Sequence, residues 1–176
     1  KLSKKIGFII ILRDERTSKH SNKLKKYKTL TGTYYLPKYA YQDVIRREII
    51  KNRVFDKKIY DLGKKFILPN SSIIDAGSNY GQMSILFSKI YSNSTVYSFE
   101  ASNYIYNILE KNIKLNTKNV VTFNCALSDK IDEKYLAEPN LTNVGTYGAL
   151  NIKFEDQNNE SNKKKILFRK IDDFNF

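Results

Sequence analysis

A chain of 176 residues fits one ordinary domain and is long enough to bury a real core. At 41% hydrophobic and 13% aromatic residues it is too apolar for a disordered chain, and no run of eighteen apolar residues offers a membrane-spanning helix. Lysine and arginine total 31 against 18 acids, a formal net charge of +13 that would suit a polyanionic partner, but only six of the 31 are arginine, the side chain fitted to bidentate phosphate contacts. The bias toward Lys, Asn, Ile and Tyr fits an AT-rich coding sequence better than a ligand.

Cys125 is the only cysteine and His20 the only histidine. Internal disulfides, cysteine-rich zinc sites and multi-histidine metal centres are thereby excluded, and no metal is expected. The chain starts at Lys1 rather than Met, so its natural ends are left open. Ile6 to Leu12 is apolar behind Lys4 and Lys5 but lacks the cleavage pattern of a secretory signal; it reads as a strand or tucked segment, with contact to an anionic membrane surface as the alternative.

Thr17 to Lys28 is polar and basic and reads as an exposed loop, and Tyr34 to Tyr41 as an extended stretch around Pro37. Asp43 is placed to cap a helix carrying Ile45, Ile49 and Ile50, and Asp56 to cap a second with Ile59, Leu62 and Phe66 at helical spacing. Ser72 to Asp75 is a short buried strand, followed by a glycine-bearing turn and a helix with Met83, Leu86, Phe87 and Ile90 on its core stripe. Thr95 to Phe99 is the next strand. Ser102 or Asn103 caps a helix bearing Ile105, Ile108, Leu109 and Ile113, and Val120 to Phe123 is a third strand. This order predicts a parallel sheet covered on both faces, half of a doubly wound α/β fold. Lys134 to Ala137, Tyr147 to Phe154 and Lys164 to Lys170 suggest added strands, interrupted by a polar loop over 155–162. The expected division is 1–70 as an N-terminal extension and helical cap, and 71–176 as the sheet-bearing portion.

The informative string is Asp75-Ala76-Gly77-Ser78-Asn79-Tyr80-Gly81, with a second acid, Glu100, 25 residues beyond Asp75. Both acids fall at the carboxyl ends of adjacent strands, beside the crevice where doubly wound sheets bind ligands, and an acid ending the second strand is placed to accept ribose hydroxyls. A nucleoside-containing ligand follows. Phosphate beside Asp75 would be opposed by roughly 4 kcal/mol at about 4 Å and an intermediate dielectric, whereas the ammonium and sulfonium of S-adenosylmethionine would be attracted. The spacing also departs from the dinucleotide and phosphate-loop patterns.

IIDAGSNYGQMS (73–84), VYSFEASNYIYNILEKNIKLN (96–116) and VVTFNCALSD (120–129) resemble the FkbM-type S-adenosylmethionine-dependent methyltransferases, in a register running from about Gly32 to Asp173. The resemblance implies a Rossmann-like class I methyltransferase sheet and O-methylation of a sugar or another small-molecule hydroxyl. It implies that Asp75, Gly77, Asn79 and Gly81 surround the methionyl part of the cofactor, that Glu100 holds the ribose, that Ala101 flanks ribose and adenine, and that Ala126 and Leu127 border the adenine. Tyr41 and Asp43 are candidates to close over it, although Asp43 as a plain cap explains the same residue. The family continues past the segment matching Lys170 to Phe174, so the sheet is expected to be incomplete in this chain.

No catalytic residue is assigned. Asp172 or Asp173 as a base is outweighed by capping or solvation, and Cys125 reads as a small buried residue rather than a nucleophile. The expected partner is a sugar or glycan hydroxyl, and a cytoplasmic location is the default. The alternatives are a nicotinamide-dinucleotide oxidoreductase and a noncatalytic module for nucleic acid or membrane surfaces. An RNA methyltransferase lies between these classes, without a recognisable RNA-binding module.

Overall fold

The computed structural model describes residues 23–137 and 163–176. The strand expectations at Ile6 to Leu12 and Tyr147 to Phe154, the 155–162 loop and His20 lie outside the described residues.

The chain opens with an antiparallel hairpin, β1 (Leu24–Lys28) and β2 (Thr33–Pro37), then helices α1 (Val44–Ile50) and α2 (Lys57–Phe66). The centre is β3 (Ser72–Ala76), α3 (Gln82–Ile90), β4 (Thr95–Phe99), α4 (Asn103–Asn116) and β5 (Val120–Phe123). These three strands form a parallel sheet in the order β3-β4-β5. A second sheet follows, with β6 (Ala126–Leu127) parallel and β7 (Asp132–Ala137) antiparallel to β8 (Lys163–Arg169), and a 3-10 turn at Ile171–Asp173. The fold is α/β with a parallel three-stranded core, as the strand-helix alternation predicts.

Both crossover helices lie on one face of the parallel sheet. Ile73 and Val96 share a cluster with Phe87 of α3, and Thr122, in register with Ser98, meets the Tyr106 hydroxyl of α4 at 3.2 Å. Two right-handed crossovers stepping the same way put both helices on the same side. On the opposite face Phe99 stacks on Phe123 at 4.9 Å between centroids, and Phe174 packs edge-on against both, with Phe176 against Tyr97. Helical cover of both faces was expected; among the described residues aromatic rings cover the second.

Three local expectations are corrected. Thr17 to Lys28 is not all loop, because Leu24–Lys28 pairs with β2, its partly buried Leu24 and Tyr27 packing on the main core. Asp56 precedes α2 in a left-handed conformation and makes no side-chain cap; its carbonyl oxygen accepts from the N–H groups of Ile59 and Tyr60. The buried stripe of α3 is Gln82, Ser84, Ile85, Phe87 and Ser88, while Ile90 is exposed. Two serines admit the helix close to the sheet, where the Ser98 hydroxyl donates to that of Ser84 at 2.6 Å.

The hairpin is fastened to α4 by two asparagines on consecutive turns. Fully buried Asn112 accepts from the Tyr35 N–H at 2.6 Å and donates to the carbonyls of Tyr35 at 3.2 Å and Tyr80 at 2.9 Å. Asn116 accepts from the Thr33 N–H at 2.9 Å and donates to the Thr33 carbonyl at 2.7 Å. Their amides pair the free edge of β2 as another strand would. Asn112→Ala, by stranding these backbone groups, is expected to cost about 3 kcal/mol in urea unfolding; a cost under about 1 kcal/mol would mean that water replaces the amide.

Candidate functional site

The carboxyl ends of β3, β4 and β5 carry three loops, and the first of them, 77–81, holds three left-handed residues: Gly77 (φ 84°), Asn79 (φ 49°) and Gly81 (φ 85°). The glycines differ in their surroundings. A Cβ on Gly77 would meet nothing within 4 Å, whereas one on Gly81 would stand 2.7 Å from Leu109 Cδ1. Gly81 lets α3 approach α4, and Gly77 keeps the mouth of the loop open.

Every backbone N–H of this turn is already engaged. Those of Gly77 and Ser78 both donate to the Phe99 carbonyl at 2.9 Å, that of Asn79 to Glu100 Oε2 at 3.0 Å, that of Tyr80 to Asn79 Oδ1 at 2.8 Å, and that of Gly81 to the Ser78 carbonyl at 2.8 Å. Phosphate-binding turns and helix N-termini work through free N–H groups. In the first turn of α3, Asp75 Oδ2 accepts from the Ser84 hydroxyl.

Glu100 is buried and joins two loops, because Oε1 accepts from the Ser102 N–H at 2.9 Å while Oε2 takes that of Asn79. The third loop is tied in by Asn124, whose Nδ2 donates to the Glu100 carbonyl at 2.8 Å. Burial pushes the carboxyls of Asp75 and Glu100 above the ordinary range, against the lowering effect of their hydrogen bonds, and Asp75 raises Glu100 further by charge repulsion. Among the described residues neither has a lysine or arginine partner, in a chain of net charge +13. Beside them, Nδ2 of buried Asn79 has no hydrogen-bond acceptor.

Asp75, near the end of β3, and Gly77, Asn79, Glu100 and Ala101, on the adjoining loops, thus fall at one end of the sheet. Gly81 belongs to the helix packing behind them. Ala126 and Leu127 form β6, in parallel register with Phe168 and Arg169. Asp43 is fully buried, caps α1 by accepting from the Arg46 N–H at 2.8 Å, and accepts from the Tyr80 hydroxyl at 2.7 Å; Tyr41 is exposed beside the Arg46 guanidinium. Gln82 donates to the Arg53 carbonyl and accepts from the Phe55 N–H, a bolt between α3 and the α1–α2 connection. Burial pushes the Cys125 thiol up, as befits a small buried residue, and Asp173 accepts from the Lys170 N–H at 3.2 Å within the final turn. Asn124, Ser84 and Asn112 were not singled out from sequence. For Asn112 there was a signal: it falls on the apolar stripe of α4, where a polar residue needs buried partners.

No protein-family model matches the chain. The methyltransferase sdnD of Sordaria araneosa is 31% identical over 87 residues, 48% of this chain and 32% of that protein, so the match spans about a third of the relative's length. Among solved structures, TYW2 of P. horikoshii in complex with MeSAdo aligns at 18% identity and TM-score 0.41 over 60% of this chain and 37% of its own. TYW2 of M. jannaschii in complex with AdoMet aligns at 15% identity and TM-score 0.40 over 65% and 64%.

The raised carboxyl of Asp75 has a testable consequence for stability. A folded-state value above the unfolded one means that its contribution is fully present below the unfolded range, about pH 4, and is lost as pH rises through the folded value. Asp75→Asn is therefore expected to melt higher than the parent at pH 7, with the margin closing as the pH falls toward 4. Equal melting curves at pH 7 would contradict this.

Proposed function

We propose that the chain is an S-adenosylmethionine-dependent methyltransferase of the FkbM type, acting on a hydroxyl of a sugar or another small molecule. The observation that carries the reading is the pair of carboxyls raised by burial, Asp75 and Glu100, without a cationic side-chain partner among the described residues, at the mouth of a turn whose N–H groups are all spent. Such a rim favours a positively charged nucleoside without phosphate. A nicotinamide dinucleotide would need N–H groups that the turn has given to Phe99 and Glu100. The 31% match to a methyltransferase and the FkbM-like strings around the same turn point the same way.

The residues suit the cofactor. The space before Gly77 leaves room for its methionyl part, and Asn79 Nδ2 is a buried donor in want of an acceptor, which a carboxylate would supply. Asp75, Gly77, Asn79 and Gly81 would frame that part; Glu100, already oriented by Asn79 and Ser102, would hold the ribose with lone pairs still free; Ala101, Ala126 and Leu127 would line the adenine. When bound, the cofactor supplies an electrophilic methyl group for in-line attack by the acceptor oxygen. This chain contributes alignment and exclusion of water, the chief sources of acceleration in such a displacement.

Calorimetric titration with S-adenosylhomocysteine tests the assignment. Micromolar binding is expected, weakened at least tenfold by Glu100→Ala and by Gly77→Val, with NADH giving no heat. Unaltered affinity in both variants would remove the site, and binding of NADH in place of the thioether would remove the reading.

A further inference from the structure

Helix α2 is two-sided. Tyr60 and Gly63 turn inward, the Tyr60 ring lying 5.7 Å from that of Phe87 and a Cβ on Gly63 meeting the same ring, so α2 leans on α3 along this side. The adjacent side is an apolar stripe in solvent: Ile59 is 56% exposed, Leu62 51% and Phe66 72%, followed by Leu68 at 69%. The helical spacing of Ile59, Leu62 and Phe66 is kept, but no residue of the helix is buried.

The charges are sorted to match. Asp61, the helix's one acid, pairs with Lys57 and with Lys64 at 3.5 Å, on the far side from the stripe. Lys58 and Lys65, two turns apart, are exposed, have no ion pair among the described residues, and border the stripe where it meets solvent. Paired charge thus lies away from the apolar side chains, and free positive charge beside them.

We propose that α2 docks on an anionic membrane surface, lying flat with Ile59, Leu62, Phe66 and Leu68 in the acyl boundary and the Lys58 and Lys65 ammoniums among lipid head groups. A bare apolar stripe would suit any apolar partner; the unpaired lysines on its one free margin select a negatively charged one, and long lysine stems reach head groups while their carbons lie on the lipid.

Vesicle co-sedimentation tests this with phosphatidylcholine alone and with phosphatidylserine added. Binding is expected only with phosphatidylserine and should weaken with salt. It should fall about thirtyfold in Lys58→Gln/Lys65→Gln, at roughly 1 kcal/mol per lysine, and be lost in Phe66→Ser. All of these positions are exposed, so unchanged circular dichroism and melting are expected to accompany the loss. Equal binding of parent and variants to the charged vesicles would overturn the proposal. So would a dimer in analytical ultracentrifugation that Phe66→Ser dissolves while vesicle binding persists.

Discussion

Glu100 sits where three loops meet, and the site depends on what its carboxylate does there. One oxygen takes the N–H of Asn79 and the other that of Ser102, so a single buried group fixes the glycine turn against the start of α4. The peptide just before it works the same way, since the Phe99 carbonyl receives both Gly77 and Ser78. The turn therefore needs no ligand to complete its backbone hydrogen bonds, and only the Asn79 side-chain amide is left to donate. Because the backbone N–H groups all end on oxygens of the chain, one of them the Glu100 carboxylate, a phosphate finds no free backbone donor there.

That arrangement has a cost, and the surrounding structure offsets it. Buried Glu100 and half-buried Asp75, without a cationic partner among the described residues, oppose folding at neutral pH, since burial raises both carboxyls. Against this stand the Asn112 and Asn116 amides that lock the hairpin to α4, the fully buried Ile85, Leu109 and Tyr80 cluster behind the turn, and the Phe99, Phe123 and Phe174 rings on the other side of the sheet. The Tyr80 side chain connects these parts. Its ring is in the core, its hydroxyl donates to Asp43 and its carbonyl receives Asn112, so the helical cap and the turn are held by one residue. A cationic nucleoside would relieve the strain that folding leaves at Asp75 and Glu100.

The parallel core was legible because β3, α3, β4, α4 and β5 each carry a local signal: β-branched runs of the right length, a serine cap at 102, and apolar spacing at 105, 108, 109 and 113. The two acids were legible because strand ends place residues without knowledge of packing. Less legible were features set by tertiary partners. β1 has a lysine-rich sequence and becomes a strand only because β2 is beside it. Phe66 obeys helical spacing, yet spacing cannot say whether anything lies opposite. Spacing places Met83, Leu86 and Ile90 beside Phe87 on the α3 stripe, whereas Ser84, Ile85 and Ser88 are buried there, because Ser84 looks like a surface residue until Ser98 and Asp75 are brought to it and Ser88 turns its hydroxyl to the Ile85 carbonyl. Asn124 had no signal of its own, since its role is to reach a carbonyl on a neighbouring loop.

The claim that one carboxylate organises the rim is tested most directly by following the amide proton shifts of Asn79 and Ser102 by NMR through an acid titration of the unliganded protein. Since both N–H groups end on Glu100, they should move together with a common midpoint above the ordinary glutamate range of about 4.3. Separate midpoints, or a shared one at or below that range, would contradict the account.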